Sequence, residues 1–219
     1  HHGLAMAGTG LLALAALLLL GPASETVVAV GNRWISESVR PTRLPRLALA
    51  GGIPPDHRVL VVVPSLLTSD AGIQALAAQL EQHAIANPQA QAQFALLTDW
   101  ADADQSACPG DAALLATAIA ALETLNRQHP VADGLPPRFL LLHRPRRWSE
   151  SEQRHIGWER KRGKLELLVE ALAEDSTAAF LDLGDASRIA HDTRYIVTLD
   201  SDTQLPPGRL RELVGVAAH

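Results

Sequence analysis

Four short apolar runs alternate with helical patterns after residue 58, and this alternation constrains the fold more than any other feature of the chain. The runs are VLVVV at 59–63, FALLTD at 94–99, FLLLH at 139–143 and YIVTL at 195–199. They are apolar on both faces, as is typical of buried parallel strands. Between them, apolar residues recur at helical spacing. This order predicts an α/β fold with a parallel sheet and helices on both of its faces.

The residues directly after each predicted strand are the first candidates for function. In open α/β sheets, ligands bind beyond the carboxyl ends of the parallel strands. In this sequence those positions are 64–69, 98–99, 143–144 and 200–202. The expected site therefore gathers residues from four separate parts of the chain.

An Asp-Ser-Asp triplet at 200–202 follows the last predicted strand. Its spacing lets the carboxylates of Asp200 and Asp202 turn toward one cation. Mg²⁺ often takes carboxylate oxygen from only one or two residues and leaves its other positions to water and phosphate, which suggests a nucleotide diphosphate as the ligand. An Asx turn that leads to a helix N-terminus explains the same triplet, and the triplet alone does not separate the two.

A basic segment between residues 138 and 164 inverts the local charge of a chain whose net charge is −5. Nine of the chain's 19 basic residues lie there: Arg138, Arg144, Arg146, Arg147, Arg154, Arg160, Lys161, Arg162 and Lys164. A solvated helix face, a patch that meets anionic lipid and a clamp for a diphosphate all explain such a segment. Gly163 favours the clamp, because glycine lets backbone N–H groups approach an anion. A solvated face is the simplest interpretation for four arginines taken singly: Arg144, Arg146, Arg147 and Arg154.

Asp99 closes the second predicted strand, where its carboxylate either accepts a hydrogen bond from a base or ribose or caps a turn. Motifs for other chemistries do not occur in the sequence. The histidines form no pair at metal-binding spacing, and no nucleophile elbow, phosphate-binding loop or dinucleotide-binding glycine motif follows a strand. These observations disfavour a hydrolase, a phosphate-loop nucleotidase and a dinucleotide dehydrogenase. The net charge of −5 also argues against nucleic-acid binding.

The stretch 3–24 carries no charged residue and is long enough to span a bilayer, which takes about 20 apolar residues. A cleaved signal peptide and a buried soluble helix are the alternatives, although no basic residue precedes the stretch. The next residues, 23–39, are mixed in polarity and suggest an interfacial helix with Trp34 at the headgroups. A Pro- and Gly-rich linker then leads to the α/β part.

Basic residues on one side of the predicted span indicate its orientation. Arg33, Arg40, Arg43 and Arg46 all follow it, which predicts a cytoplasmic globular part. A single cysteine, Cys108, excludes an internal disulfide and fits a reducing compartment. The predicted division of the chain has three parts: a transmembrane helix at 1–24, an interfacial segment and linker at 25–57, and the α/β part at 58–219.

Five segments, in this order, resemble the glycosyltransferase domain of the cyclic β-1,2-glucan synthases, which are large bacterial inner-membrane enzymes. The segments are VVVPSLLTS, QFALLTDW, LLLHRPRRWSESE, GWERKRGKLE and YIVTLDSDTQLP. The similarity covers 22–219, which is nearly the whole chain, and the combination of HRPRRW with GWERKRGKLE is specific. Val169 departs from the asparagine expected at that position in the family.

The resemblance implies a GT-A-like, Rossmann-type fold that binds a nucleotide sugar. It implies UDP-glucose as the donor, Mg²⁺ or Mn²⁺ as the cofactor, and a growing β-1,2-glucan as the acceptor. By the same resemblance, Asp200 and Asp202 hold the metal and the diphosphate, and Asp99 lies at the uridine end. Arg162 and Lys164 are then expected beside the nucleotide.

The resemblance also implies a place in the cell and a limit on activity. We expect a protein of the bacterial inner membrane whose partners are a nucleotide sugar, a glucan acceptor and the lipid bilayer. Inverting transfer needs a general base, which we expect beyond His219, so this chain is expected to be an N-terminal fragment that is inactive alone. The alternatives are a processive membrane glycosyltransferase of the cellulose- or hyaluronan-synthase kind and a non-catalytic, membrane-tethered module that binds anionic lipid.

Overall fold

A computed structural model describes residues 2–38, 44–174, 176 and 178–219, with side chains described from residue 14 onward. The chain divides into two compact units, 1–44 and 45–219. Arg40 and Arg43, on which the predicted orientation partly depends, lie outside the described residues.

The first unit is one long helix, α1 (His2–Ser38). Its part Leu14–Ser38 is long and apolar enough to cross a membrane, and none of its apolar window is buried within the protein. The prediction of an N-terminal apolar helix that is a candidate span is therefore confirmed. The helix continues through Pro22, so no break marks the predicted change to an interfacial segment. The hydroxyl of Thr26 donates to the carbonyl oxygen of Pro22 at 2.7 Å.

The second unit is built on a four-stranded parallel sheet, as the alternating pattern predicts. The strands are β1 (Val59–Leu66), β2 (Ala92–Asp99), β3 (Phe139–His143) and β6 (Tyr195–Thr198). Their order across the sheet is β3-β2-β1-β6. Leu66 of β1 lies opposite Asp99 of β2, and Thr98 lies opposite His143 of β3. The register therefore brings the carboxyl ends of the three longer strands to one edge.

Four helices cover the two faces of this sheet. They are α2 (Asp70–Ala86), α3 (Asp111–Gln128), α4 (Arg160–Ala173) and α5 (Arg209–Ala217). Val59, Val61 and Val63 face α2, α3 and α5, whereas Leu60 and Val62 face α4. Alternate residues of one strand thus enter two separate cores, because successive side chains of a strand point to opposite faces. The expectation of helices on both faces is confirmed.

The start of α2 agrees with the sequence-based prediction, whereas the start of α4 differs from it. Ser69 caps α2 as expected, since its hydroxyl oxygen accepts the N–H of Gly72 at 3.2 Å. Helix α4 begins at Arg160, earlier than the predicted start at Gly163, after Glu159 in the left-handed conformation with φ 50°. The first turn of α4 is polar and therefore lacks the apolar spacing that would have indicated it.

Two further features were not predicted from the sequence. A short antiparallel hairpin, β4 (Arg147–Ser149) and β5 (Arg154–Ile156), interrupts the basic segment. In addition, the last strand β6 is only half-buried, although its residues read as a fully buried strand. Among the described residues β6 pairs with β1 alone, so it lies at the edge of the sheet.

Candidate functional site

The carboxyl edge of the sheet meets the first turn of α4. Lys161 of this turn pairs with Asp200, which follows β6. Lys164, one turn later, donates to the carboxylate of Asp99 at 2.9 Å and to the carbonyl oxygen of Ser65 at 2.7 Å. One helix turn therefore connects the ends of β1 and β2 with the segment that follows β6.

Asp99 is the centre of a buried charge cluster. Its side chain is 1% exposed, and those of its partners Arg144 and Lys164 are each 4% exposed. Arg144 donates through Nε and Nη2 to Oδ2 at 3.2 and 2.8 Å, while Lys164 takes Oδ1. Two cations on one carboxylate give the cluster a formal charge of +1. Hydrogen-bonded pairing of this kind is what makes buried charge tolerable.

Gly157 closes this cluster from the outside. A Cβ atom at Gly157 would lie 2.4 Å from Oδ2 of Asp99 and 3.2 Å from Nη2 of Arg144. The same guanidinium nitrogen donates to the carbonyl oxygen of Arg160 at 3.1 Å, at the start of α4. The glycine thus lets the backbone approach the carboxylate closely. The sequence placed Arg144 at a strand end but did not predict its pairing with Asp99, its link to α4 or the part played by Gly157.

Burial changes the titration of groups at this edge. It lowers the pKa of Lys164, and the neighbouring Asp99 carboxylate opposes that shift. Burial also lowers the pKa of His143 to about 4. The Nδ1 atom of His143 lies 2.8 Å from the hydroxyl of Thr98, and its ring meets Trp100 edge-on at 4.4 Å. His143 is therefore a neutral packing residue at neutral pH.

The acidic triplet forms a backbone turn at the open side of the edge. The N–H of Thr203 donates to the carbonyl oxygen of Asp200 at 2.9 Å. The side chain of Asp200 is 57% exposed, and Asp202 is also exposed. The turn is closed by backbone atoms, and within the described ranges neither carboxylate caps a backbone N–H. The Asx-turn alternative therefore gains no support.

The carboxylates of Asp200 and Asp202 have the chemistry of a simple divalent-cation site. No group of three or more His, Cys, Asp or Glu side chains that could hold a metal occurs among the described residues. Mg²⁺ is commonly held by one or two carboxylates together with phosphate oxygens and water. Asp200 and Asp202 fit that simpler set, because both are exposed and only Lys161 pairs with either of them within the described part.

The basic residues between 138 and 164 do not form a single patch in the structure, because several of them have separate acidic partners. Arg144 and Arg146 are buried, so the solvated-face interpretation is wrong for these two. Arg146 binds both oxygens of Asp111 at 2.6 and 3.3 Å and lies over the ring of Trp100. It therefore ties the first residue of α3 to the segment that follows β3.

Arg162 and Gly163 do not have the surroundings that were expected. Arg162 is exposed and pairs with Glu166 and Glu159 of its own segment, so the structure does not bring it to Asp99 or Asp200. The N–H of Gly163 donates to the carbonyl oxygen of Glu159. A Cβ there would lie 2.3 Å from the carbonyl oxygen of Trp158. Glycine is needed at 163 for packing, and the anion-approach interpretation is wrong.

Comparison with known proteins finds a similar protein of known name. No protein-family model matches the chain. The chain is similar to the cyclic beta-(1,2)-glucan synthase NdvB of Rhizobium meliloti (strain 1021), with 39% identity over 203 residues. The matched region covers 93% of this chain and 7% of that protein. The chain therefore spans a small part of the relative's length.

The similarity extends over the membrane-span candidate, the parallel sheet and the acidic turn, since it covers almost the whole chain. It also includes the basic segment that the structure resolves into separate ion pairs. The chain is therefore similar to a small segment of a cyclic β-(1,2)-glucan synthase, and the resemblance that its motifs indicate is confirmed.

Proposed function

We propose that this chain is the donor-binding part of a membrane-associated glucosyltransferase that takes UDP-glucose with Mg²⁺ or Mn²⁺ and serves β-1,2-glucan synthesis. The observation that carries the proposal is the position of Asp200 and Asp202. They lie exposed, past a parallel strand, at the edge where α/β sheets bind ligands. The similarity to a glucan synthase supports the same chemistry, and a GT-A-like fold is part of the proposal.

Each residue of the edge has a proposed task. Asp200 and Asp202 supply the carboxylate oxygens for the cation, which would neutralise the charge of a diphosphate when bound. Lys161, which now pairs with Asp200, lies next to the place that the diphosphate would take. The exposed ammonium group is a suitable partner for phosphate oxygens. The chain's own contribution is thus to hold and orient the leaving diphosphate.

The roles proposed for Asp99 and Lys164 are different from that of the acidic turn. Both are enclosed, and both oxygens of Asp99 already accept hydrogen bonds. A nucleotide that contacted Asp99 would have to displace Arg144 or Lys164. We therefore propose that Asp99 and Lys164 fix the first turn of α4 beside the nucleotide. Contact of Asp99 with uridine stays a prediction, as does any contact of Arg162 with the nucleotide.

The membrane part of the proposal rests on α1. Helix α1 has the length and composition of a span, and the relative is a synthase of a polysaccharide. We propose an inner-membrane location with the α/β unit in the cytoplasm. The glucan acceptor and the bilayer are the corresponding proposed partners.

Titration of the detergent-solubilised full chain with UDP tests the proposal. We expect saturable heat of binding in the presence of Mn²⁺ and loss of that binding after chelation. Asp202→Ala should abolish the metal-dependent binding, since it removes half of the carboxylate pair. Asp185→Ala, which changes another exposed aspartate away from the turn, is the control. UDP binding that persists through both chelation and Asp202→Ala would exclude the metal–diphosphate role.

A further inference from the structure

We propose that Asn87, at the end of α2, is a positioning residue for the acidic turn, with His83 as its partner. This inference rests on the proposed function, because it concerns the geometry of the same carboxylate pair. The observation that carries it is a set of buried hydrogen bonds between the end of α2 and the segment 205–210, which directly follows the turn.

The side chain of Asn87 is fully buried, with 0% of the residue exposed. Its Nδ2 donates to the carbonyl oxygen of Leu205 at 3.4 Å, and its Oδ1 accepts the N–H of Leu210 at 3.0 Å. The same Nδ2 donates to the carbonyl oxygen of His83 at 3.4 Å. Both ends of one amide are therefore used on the backbone downstream of the acidic turn.

His83 adds a second contact to the same segment. Its Nδ1 accepts the N–H of Leu205 at 3.4 Å, and the residue is 3% exposed. The backbone contributes too, since the N–H of Gly208 donates to the carbonyl oxygen of Ala86 at 3.2 Å. The side chain of Leu205 is buried in the core that α2 shares with the sheet. The segment after the turn is thus fixed to α2 by its backbone and by a core side chain.

The acidic turn lies between this attachment and the end of β6. On the strand side, the N–H of Leu199 donates to the carbonyl oxygen of Val62 at 2.9 Å. The exposed carboxylates themselves have few contacts, so their separation depends on the two fixed points that flank them. Loss of Asn87 would weaken the downstream attachment, because the N–H of Leu210 and the carbonyl oxygen of Leu205 would lose their bonds to the amide, and unpaired buried polar groups are costly.

Asn126 offers a matched control for Asn87. Its amide also bridges backbone groups, because Nδ2 donates to the carbonyl oxygen of Phe139 and Oδ1 accepts the N–H of Phe139, both at 2.9 Å. It serves the start of β3, at the opposite edge of the sheet from the acidic turn. Asn87→Ala and Asn126→Ala therefore each remove an amide that bridges backbone groups, one fully buried and one partly buried.

The test measures two quantities on the detergent-solubilised full chain at a temperature where both variants are folded. Amide hydrogen exchange, followed by mass spectrometry, should accelerate in 199–210 for Asn87→Ala and not for Asn126→Ala. The affinity for UDP in the presence of Mn²⁺ should fall about tenfold for Asn87→Ala, as is typical when a residue that orients a metal ligand is lost. Asn126→Ala should retain the wild-type affinity.

Three results would overturn the inference. They are unchanged exchange in 199–210 for Asn87→Ala, faster exchange there with unchanged UDP affinity, and an equal loss of affinity in Asn126→Ala. Failure of the proposed function is recognised separately. In that case the wild-type chain itself shows no metal-dependent UDP binding, while the exchange measurement still decides whether Asn87 holds the segment.

Discussion

Aspartates lie at two strand ends on one edge of the sheet, and one of them is buried whereas the other is exposed. Asp99, at the end of β2, is 1% exposed and both of its oxygens are bound by buried cations. Asp200, just past β6, is 57% exposed and has one exposed lysine partner. In the described structure β2 lies between β1 and β3, whereas β6 pairs with β1 alone and is itself only half-buried.

The difference in burial indicates that Asp99 has a structural role and that the exposed pair Asp200 and Asp202 is the candidate ligand site. An enclosed carboxylate with two cations has no free oxygen to offer, so its contribution is to hold Arg144 and α4 in place. An exposed pair at an open edge keeps its oxygens available for a cation. Burial, and not the identity of the residue, therefore indicates which aspartate is structural and which is the candidate for binding.

The largest expected effect is at Asp99. Asp99→Asn removes the only carboxylate that Arg144 and Lys164 contact in the described structure. Breaking a buried pair leaves uncompensated charge, so the free energy of unfolding should fall by about 3–5 kcal/mol. Urea denaturation followed by tryptophan fluorescence measures it. Asp104→Asn, at a side chain that is 92% exposed, should change stability little; equal losses in the two variants would remove the distinction.

The buried His143 should make the free energy of unfolding depend on pH. Its folded pKa is about 4 against 6.5 for the ordinary group, so the unfolded state takes up the proton first. The stability that it contributes is complete above pH 6.5 and is lost as the pH falls toward 4, by about 3 kcal/mol in total. His143→Gln should flatten this limb of the stability curve. A curve of identical shape in the variant would show that other groups cause the acid sensitivity.

A substitution at Gly157 shows how closely the backbone packs against the Asp99 charge cluster. Gly157→Ala places a Cβ atom against the carboxylate of Asp99, and such overpacking usually costs about 1–3 kcal/mol. Gly51→Ala is the control, since a Cβ there meets nothing within 4 Å. Thermal unfolding of the two variants compares them. If both unfold at the wild-type temperature, the approach at Gly157 is looser than the structure indicates.

Lys161 is expected to give the smallest change in stability. Its pair with Asp200 is half-exposed, and exposed pairs contribute about 0–1 kcal/mol. Lys161→Ala should therefore leave the free energy of unfolding nearly unchanged while it weakens metal-dependent UDP binding. A loss of stability as large as that in Asp99→Asn would place Lys161 with the scaffold instead.

The sequence predicts the sheet well because its strands are apolar on both faces. The bounds of β3 are as expected, and Ser69 is the expected cap of α2. The candidate site is predicted only in part. The triplet at 200–202 and Asp99 were found from their positions at strand ends, and their roles in binding stay predictions.

The missed features share a physical reason, since they depend on contacts between distant parts of the chain. Arg144 meets Asp99 across two neighbouring strand ends, and periodicity carries no information on that pairing. The hairpin β4–β5 has strands of three residues each, which is too short for a pattern. Asn87 did leave a signal, because it follows α2 directly and lies seven residues after Leu80, where it continues the buried stripe of the helix with an unusual polar side chain.

The most direct measurement determines whether Asp200 and Asp202 bind Mn²⁺ together with UDP. Electron paramagnetic resonance of free Mn²⁺, with UDP titrated into the detergent-solubilised full chain, reports metal bound together with the diphosphate. With UDP present, wild type should remove more Mn²⁺ from solution than UDP removes alone. The double variant Asp200→Asn/Asp202→Asn should remain folded and add no uptake of its own. Equal uptake of Mn²⁺ by wild type and the double variant would contradict the assignment of the exposed turn as the donor site.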